Sequence, residues 1–195
     1  MRILYLHGLG SSGNSNTANI LRKLLPNDEI FAPEIPINPS KVWDFLIKIH
    51  NEFNPNITIG TSLGGFYAMI YGTEYKIIVN PAMFPSKDIK DRIGLGVKPY
   101  FSERTNGATH YIINEKFIND LKELEDTFFK YNLDGEFREV TYGLFGDKDE
   151  LLDHKNDFNE LFKKTPIIMN GIEHRLNEEA ITTYIIPIIE SLRKD

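Results

Sequence analysis

"GTSLG", Gly60 to Gly64, stands between a short β-branched run, Ile57-Thr58-Ile59, and a helix-forming stretch that opens with "GFYA" at Gly65. A serine at a strand-to-helix junction is lifted clear of the sheet only when the backbone takes a sharp, sparsely populated turn. Glycines two residues to either side, Gly60 and Gly64, remove the side chains that would collide across such a turn. In a chain of this composition, chance supplies roughly 0.04 matches to G-x-S-x-G. Ser62 is therefore read as a nucleophile. The same letters also allow a plain capping residue on a glycine-rich turn.

The nucleophile reading demands company. A serine hydroxyl attacks poorly at neutral pH unless an imidazole accepts its proton and a carboxylate orients that imidazole. With a serine on such a turn, the acid and then the histidine follow it along the chain. His7 and His50 precede Ser62, His110 lies in an inserted segment, and His154 falls in an expected helix after the penultimate strand. His174, in "MNGIEHRLNEE", occupies a polar loop between the last strand and the terminal helix, and is the expected base. For the acid, "LFGDKDELLD" offers Asp147, Asp149, Glu150 and Asp153. Asp149 is the choice, because Asp147 suits a bond to the turn backbone, although Asp147 stays in contention. The oxyanion formed on attack needs two donors, expected from the backbone N–H of Leu63 and of Leu9.

Around these loops, short apolar runs recur at Ile3 to Leu6, Ile30 to Ala32, Ile57 to Ile59, Ile77 to Val79, Val140 to Phe145 and Ile167 to Met169. Short, mainly apolar runs of this kind, unbroken in Ile3 to Leu6, are expected of strands buried on both faces of a parallel sheet. Helical patterns separate most of them. After a cap at Asn38, Val42, Phe45, Leu46, Ile49 and Phe53 share one face, and Ile181, Tyr184, Ile185, Ile188 and Leu192 repeat the pattern near the end, where Pro187 must kink or restart the helix. The expected class is α/β, a parallel sheet of about six strands with helices on both faces. The connection after Val79 is too long for a simple crossover, so a small helical cap is expected at about 81–135 within a single domain of 1–195. Its opening residues, Met83 and Phe84, leave the sheet at the carboxyl edge and are expected to offer an apolar surface to an acyl chain.

A competing signal sits in "HGLGSSG", where Gly8, Gly10 and Gly13 match the G-x-G-x-x-G dinucleotide fingerprint and Glu34 lies at a tolerable distance for a ribose-binding acid. Against it, "NSNT" delays the next helix to about Thr17, too far for a pyrophosphate held at the helix N-terminus. Composition narrows the rest. A net charge of -6 and the absence of a basic cluster disfavour nucleic acid, and the absence of Cys removes disulfides and thiol nucleophiles. The apolar run in "MRILYLHGLG" is shorter than a membrane span, so a soluble, cytoplasmic protein is expected.

Taken together, "LYLHGLGSS", "GTSLGGFYA", "GDKDELLD" and "GIEHRL" resemble the α/β-hydrolase superfamily, and specifically the small bacterial YqiA-type esterases. "NPAMFPSKDIKDRIG" followed by "FINDLKELE" is similar to the cap segment of that family. The resemblance implies a serine esterase acting on small carboxylic or thio-esters through Ser62, Asp149 and His174, with no cofactor. No metal is implied either, since no His and carboxylate set has ligand spacing apart from those residues. The runners-up are an NAD(P)-binding oxidoreductase of Rossmann type and a hydrolase-like binding protein without turnover.

Overall fold

The computed structural model of the chain describes residues 1–71, 75–131 and 138–194. These hold the strands β1 (Arg2–Leu6), β2 (Glu29–Phe31), β3 (Ile57–Thr61), β4 (Tyr75–Val79), β5 (Gly96–Pro99), β6 (His110–Ile113), β7 (Thr141–Gly146) and β8 (Ile167–Met169). Successive side chains of a strand point to opposite faces, so an unbroken apolar run feeds two cores at once. In β1, Leu4 and Leu6 enter one core and Ile3 and Tyr5 the other; in β4, Ile78 enters the first and Ile77 and Val79 the second. Six strands form one parallel sheet in the order β2-β1-β3-β4-β7-β8, with Leu6 paired to Gly60 and Thr61 to Val79. The expected strands are all present, with β2 and β7 displaced by one residue from their apolar runs.

Helices cover both faces. α1 (Asn16–Leu24) packs Ala18 and Leu21 into the second core, joined by Ile181, Ile185 and Ile189 from the C-terminal helical run. α2 (Val42–Phe53), α3 (Leu63–Ile70), α4 (Pro85–Arg92), α5 (Glu115–Tyr131) and the helix Lys155–Phe162 pack into the first. The terminal run begins at Glu178–Ala180, widens into a π-helical stretch over Ile181–Ile185 and continues as Ile186–Leu192. The wide turn falls just before Pro187, whose missing N–H breaks the regular ladder.

Because β1 leads to α1 on one face while the neighbouring β3 leads to α3 on the other, their two loops part at the carboxyl edge of the sheet. Ligands of open α/β sheets bind at such a divergence. The insertion between β4 and β7 folds as α4, an antiparallel hairpin of β5 and β6, and α5, and beyond β5 the Phe101 N–H donates to Gly10 O in the loop after β1 at 2.7 Å. The hairpin is an addition to the expected all-helical cap; the expected end of the insertion near 135 lies outside the described residues. No described helix is long and apolar enough to cross a membrane.

Candidate active site

Ser62 occupies the junction of β3 and α3 at φ 54°, ψ −121°, a left-handed setting for a residue with a Cβ. The turn is closed from all sides. The Ser62 N–H donates to Val79 O at 3.0 Å, and Ser62 O accepts from Gly65 N at 2.9 Å and from Ala82 N at 3.1 Å. A Cβ on Gly60 would stand 2.2 Å from Gly64 O, and one on Gly64 only 2.1 Å from Leu6 O, so both flanking glycines are required by close backbone approach. Leu63 opens α3, and its N–H is among the first-turn donors that have no carbonyl one turn back.

The histidine and acid loops are knit to each other. His174 Nδ1 donates to Asp149 Oδ2 at 2.8 Å, and Asp149 Oδ1 accepts from the N–H groups of Leu151 and Leu152 at 2.8 and 3.0 Å. The Asp149 side chain is 1% exposed and that of His174 20%. Burial works against the charge on Asp149, but the His174 contact and the two backbone donors outweigh it and hold the carboxyl below its ordinary value. Asp147 Oδ1 instead accepts from Gly171 N at 2.6 Å, the backbone bond its place in the turn suggested.

Leu9 follows β1 in a loop braced by His7. Nδ1–H of His7 donates to Gly8 O at 2.9 Å and Nε2 accepts from Ile35 N at 3.1 Å, a pattern only the neutral ring satisfies. Burial pushes His7 down to about 4, helped by nearby Arg104 and only partly opposed by the Gly8 bond. A small cavity of about 20 Å³ lies between this loop and α3, lined in part by Leu9, Ile35, Ile37, Leu63 and Tyr67. Here the glycine fingerprint has a packing explanation. A Cβ on Gly13 would stand 2.1 Å from Ala32 O, and Glu34 is taken up by Arg104 at 3.1 Å and by the Thr105 N–H at 2.9 Å.

The structure thus brings Asp149 to His174 and sets the Leu9 loop against the Ser62 turn, where a Cβ on Gly8 would stand 3.2 Å from Ser62 Cβ. Met83 is wholly buried in the first core, and Phe84 stacks on Phe129 at 5.5 Å and meets His154 edge-on at 5.7 Å. Neither lines the cavity beside Leu9. Two features escaped the sequence. His154, at the N-cap of its helix rather than within it, holds Asp157 Oδ2 through Nδ1 at 2.7 Å and Asp88 Oδ2 through Nε2 at 3.0 Å. Asn80, at the end of β4, reaches both loops; a polar residue closing an apolar strand just before Pro81 was the available signal.

This architecture, with its sharp serine turn at the divergence of two strands, is that of the α/β-hydrolase fold. The chain belongs to the family described as "Uncharacterised protein family (UPF0227)", whose model matches residues 2–192. Among solved structures it is similar to Est1E from Butyrivibrio proteoclasticus, bound to ferulic acid, with a TM-score of 0.69 at 13% identity, covering 100% of this chain and 90% of that one. The mouse alpha/beta hydrolase domain-containing protein 10 gives a TM-score of 0.65 at 16% identity, covering 99% and 90%. The methylesterase MES16 from Arabidopsis gives 0.58 at 14% identity, covering 100% and 98%.

Proposed function

We propose that the protein is a serine hydrolase that cleaves small carboxylic or thio-esters through an acyl-enzyme intermediate, without metal or cofactor. The observation that carries this reading is the 2.8 Å contact of His174 with the buried Asp149, on loops joined to the same sheet edge as the strained Ser62 turn. Esterases among the structural neighbours support the reaction class.

In this mechanism Ser62 Oγ attacks the ester carbonyl carbon while His174 Nε2 takes the hydroxyl proton. The charge that develops on the carbonyl oxygen is met by the N–H groups of Leu63 and Leu9, each contributing about 3 kcal/mol of transition-state stabilisation. The C–O or C–S bond of the leaving group then breaks, and His174 returns the proton to it. Water attacks the acyl-Ser62 bond by the same route, which releases the carboxylic acid and restores the hydroxyl. Asp149 stays ionised throughout, fixing the tautomer of His174 and offsetting the imidazolium charge. The cavity beside Leu9 and Leu63 has room for about one water-sized group and so favours a short acyl end. Met83 and Phe84 follow the Ala82 whose N–H donates to Ser62 O at 3.1 Å, so the start of the insertion is tied to the serine turn, although neither side chain lines this cavity.

Turnover of p-nitrophenyl esters and acyl-CoAs by the protein and by Ser62→Ala tests the reading, with covalent labelling by a fluorophosphonate in parallel. The variant should lose about 10⁴-fold or more in kcat and all labelling while remaining folded. Equal activity in the variant rejects Ser62 as nucleophile, and no labelling of the parent protein rejects a working serine site.

A further inference from the structure

The Asn80 side chain is buried, 1% exposed, at a position where three separate chain segments meet. Its Nδ2 donates to the carbonyls of Glu173 and His174 at 3.1 and 3.2 Å, and its Oδ1 accepts from the Gly146 N–H at 2.7 Å. The Asn80 backbone N–H continues the sheet to Leu144 O at 2.9 Å. One amide therefore ties the end of β4 to the first residue of the acid turn and to the base-bearing residue itself. Its orientation is dictated by these partners, since flipping it would set donor against donor and acceptor against acceptor. The chain also tolerates a left-handed backbone here, φ 42°, which asparagine adopts more readily than most residues.

The other links between the two loops do not fix His174. Asp147 N donates to Met169 O at 3.1 Å and Lys148 N to Ile172 O at 3.0 Å, so backbone bonds align the acid turn with the residues that precede the base. Among the described residues, the hydrogen bonds to His174 are those from Asn80 to its carbonyl and from its ring to Asp149. The first holds the backbone and the second holds the imidazole.

We infer that Asn80 is a positioning residue that sets the separation between His174 and Asp149, and so the aim of the imidazole at Ser62; this rests on the hydrolase reading above. Misplacement of a reacting group by about 1 Å costs on the order of 10²-fold in rate, which is the scale expected when the tie is cut. Asn80→Gly removes all three side-chain bonds and accepts the positive φ without strain. Asn80→Asp is nearly isosteric, keeps an acceptor for Gly146, and turns a carboxylate oxygen towards two carbonyl oxygens.

The experiment measures kcat and KM for p-nitrophenyl butyrate, thermal stability, and the proton NMR signal of the His174 ring N–H that bridges to Asp149. Both variants should lower kcat by about 10²-fold with KM changed less than about threefold, and should broaden or shift the ring proton at temperatures where the protein is folded. A kcat within twofold of the parent in a folded variant, or a loss confined to KM, overturns the proposal. If Asn80→Gly does not fold, Asn80→Asp carries the same comparison. The NMR signal needs no turnover. A ring proton disturbed by either variant in a protein that hydrolyses no ester supports Asn80 as the tie while rejecting the hydrolase reading; an undisturbed ring proton rejects the tie whatever the activity.

Discussion

Among the described residues two histidines, His154 and His174, hold aspartates at 2.7 to 3.0 Å, and the two arrangements differ in what they leave open. His154 has a carboxylate on each ring nitrogen, Asp157 at 2.7 Å and Asp88 at 3.0 Å, an arrangement that favours the doubly protonated, cationic ring. Burial opposes that charge, yet the two carboxylates outweigh it and raise His154 above its ordinary value. Asp88 Oδ2 also takes the Phe84 N–H at 3.2 Å, which ties the first turn of α4 to the segment after β7. His174 has a carboxylate on Nδ1 alone; among the described residues Nε2 has no hydrogen-bond partner. A base needs a free nitrogen, and only the second arrangement leaves one. On the proposed mechanism, proximity of His to Asp does not by itself mark the base, and the second ring nitrogen is what distinguishes His174 from His154.

The largest expected effect breaks this contrast outright. His174→Ala should lower kcat for p-nitrophenyl butyrate by about 10⁴-fold, while His154→Ala should change it by less than about threefold and lower thermal stability instead. Steady-state kinetics and melting curves on both variants decide it, and a rate loss that follows His154 reverses the assignment. Next in size, Asp149→Asn should cost about 10³-fold and Asp147→Asn less than about tenfold, because only Asp149 reaches an imidazole. Similar losses in both would mean that the turn, not the carboxylate, matters.

The smallest effect sharpens the comparison through stability rather than rate, and brings in the third braced ring. His7 falls to about 4 in the folded chain against an ordinary 6.5, so the unfolded state binds the proton more tightly. Its contribution, roughly 3 kcal/mol, is fully present above pH 6.5 and is lost as pH falls from there towards 4. His154 is raised, so its contribution is fully present below pH 6.5 and is lost as pH rises through its folded value. Urea unfolding from pH 4 to 9 should show both limbs, the acid limb flattened by His7→Asn and the alkaline one by His154→Gln. An acid limb unchanged in His7→Asn would show that other groups carry it.

Much of this arrangement was legible in the letters. Apolar runs mark the sheet strands because a strand buried on both faces is filled mostly by apolar side chains, and Gly60, Ser62 and Gly64 announce the turn through steric need. Asp149 could be preferred to Asp147 from turn chemistry. The β5–β6 hairpin could not be read so easily. Four residues give a period-two pattern too little length, Gly96 and Pro99 weaken strand propensity, and Val97 and Ile112 are apolar yet 64% and 60% exposed. The roles of Asn80 and His154 are also invisible locally. The side-chain partners of Asn80, and Asp88 on His154, lie 66 or more residues away, a juxtaposition that sequence spacing does not encode; only Asp157 is local to His154.

The Ser62 turn has one further consequence, for how such a chain changes under selection. A residue with a Cβ at φ 54°, ψ −121° sits in backbone territory that costs on the order of 1–3 kcal/mol, a large fraction of the margin that keeps a domain of this size folded. Glycine would occupy the same turn without that cost. Selection for heat resistance that ignored ester turnover would therefore drift towards glycine at position 62, and persistence of serine in lineages adapted to high temperature would be a record of the reaction being needed.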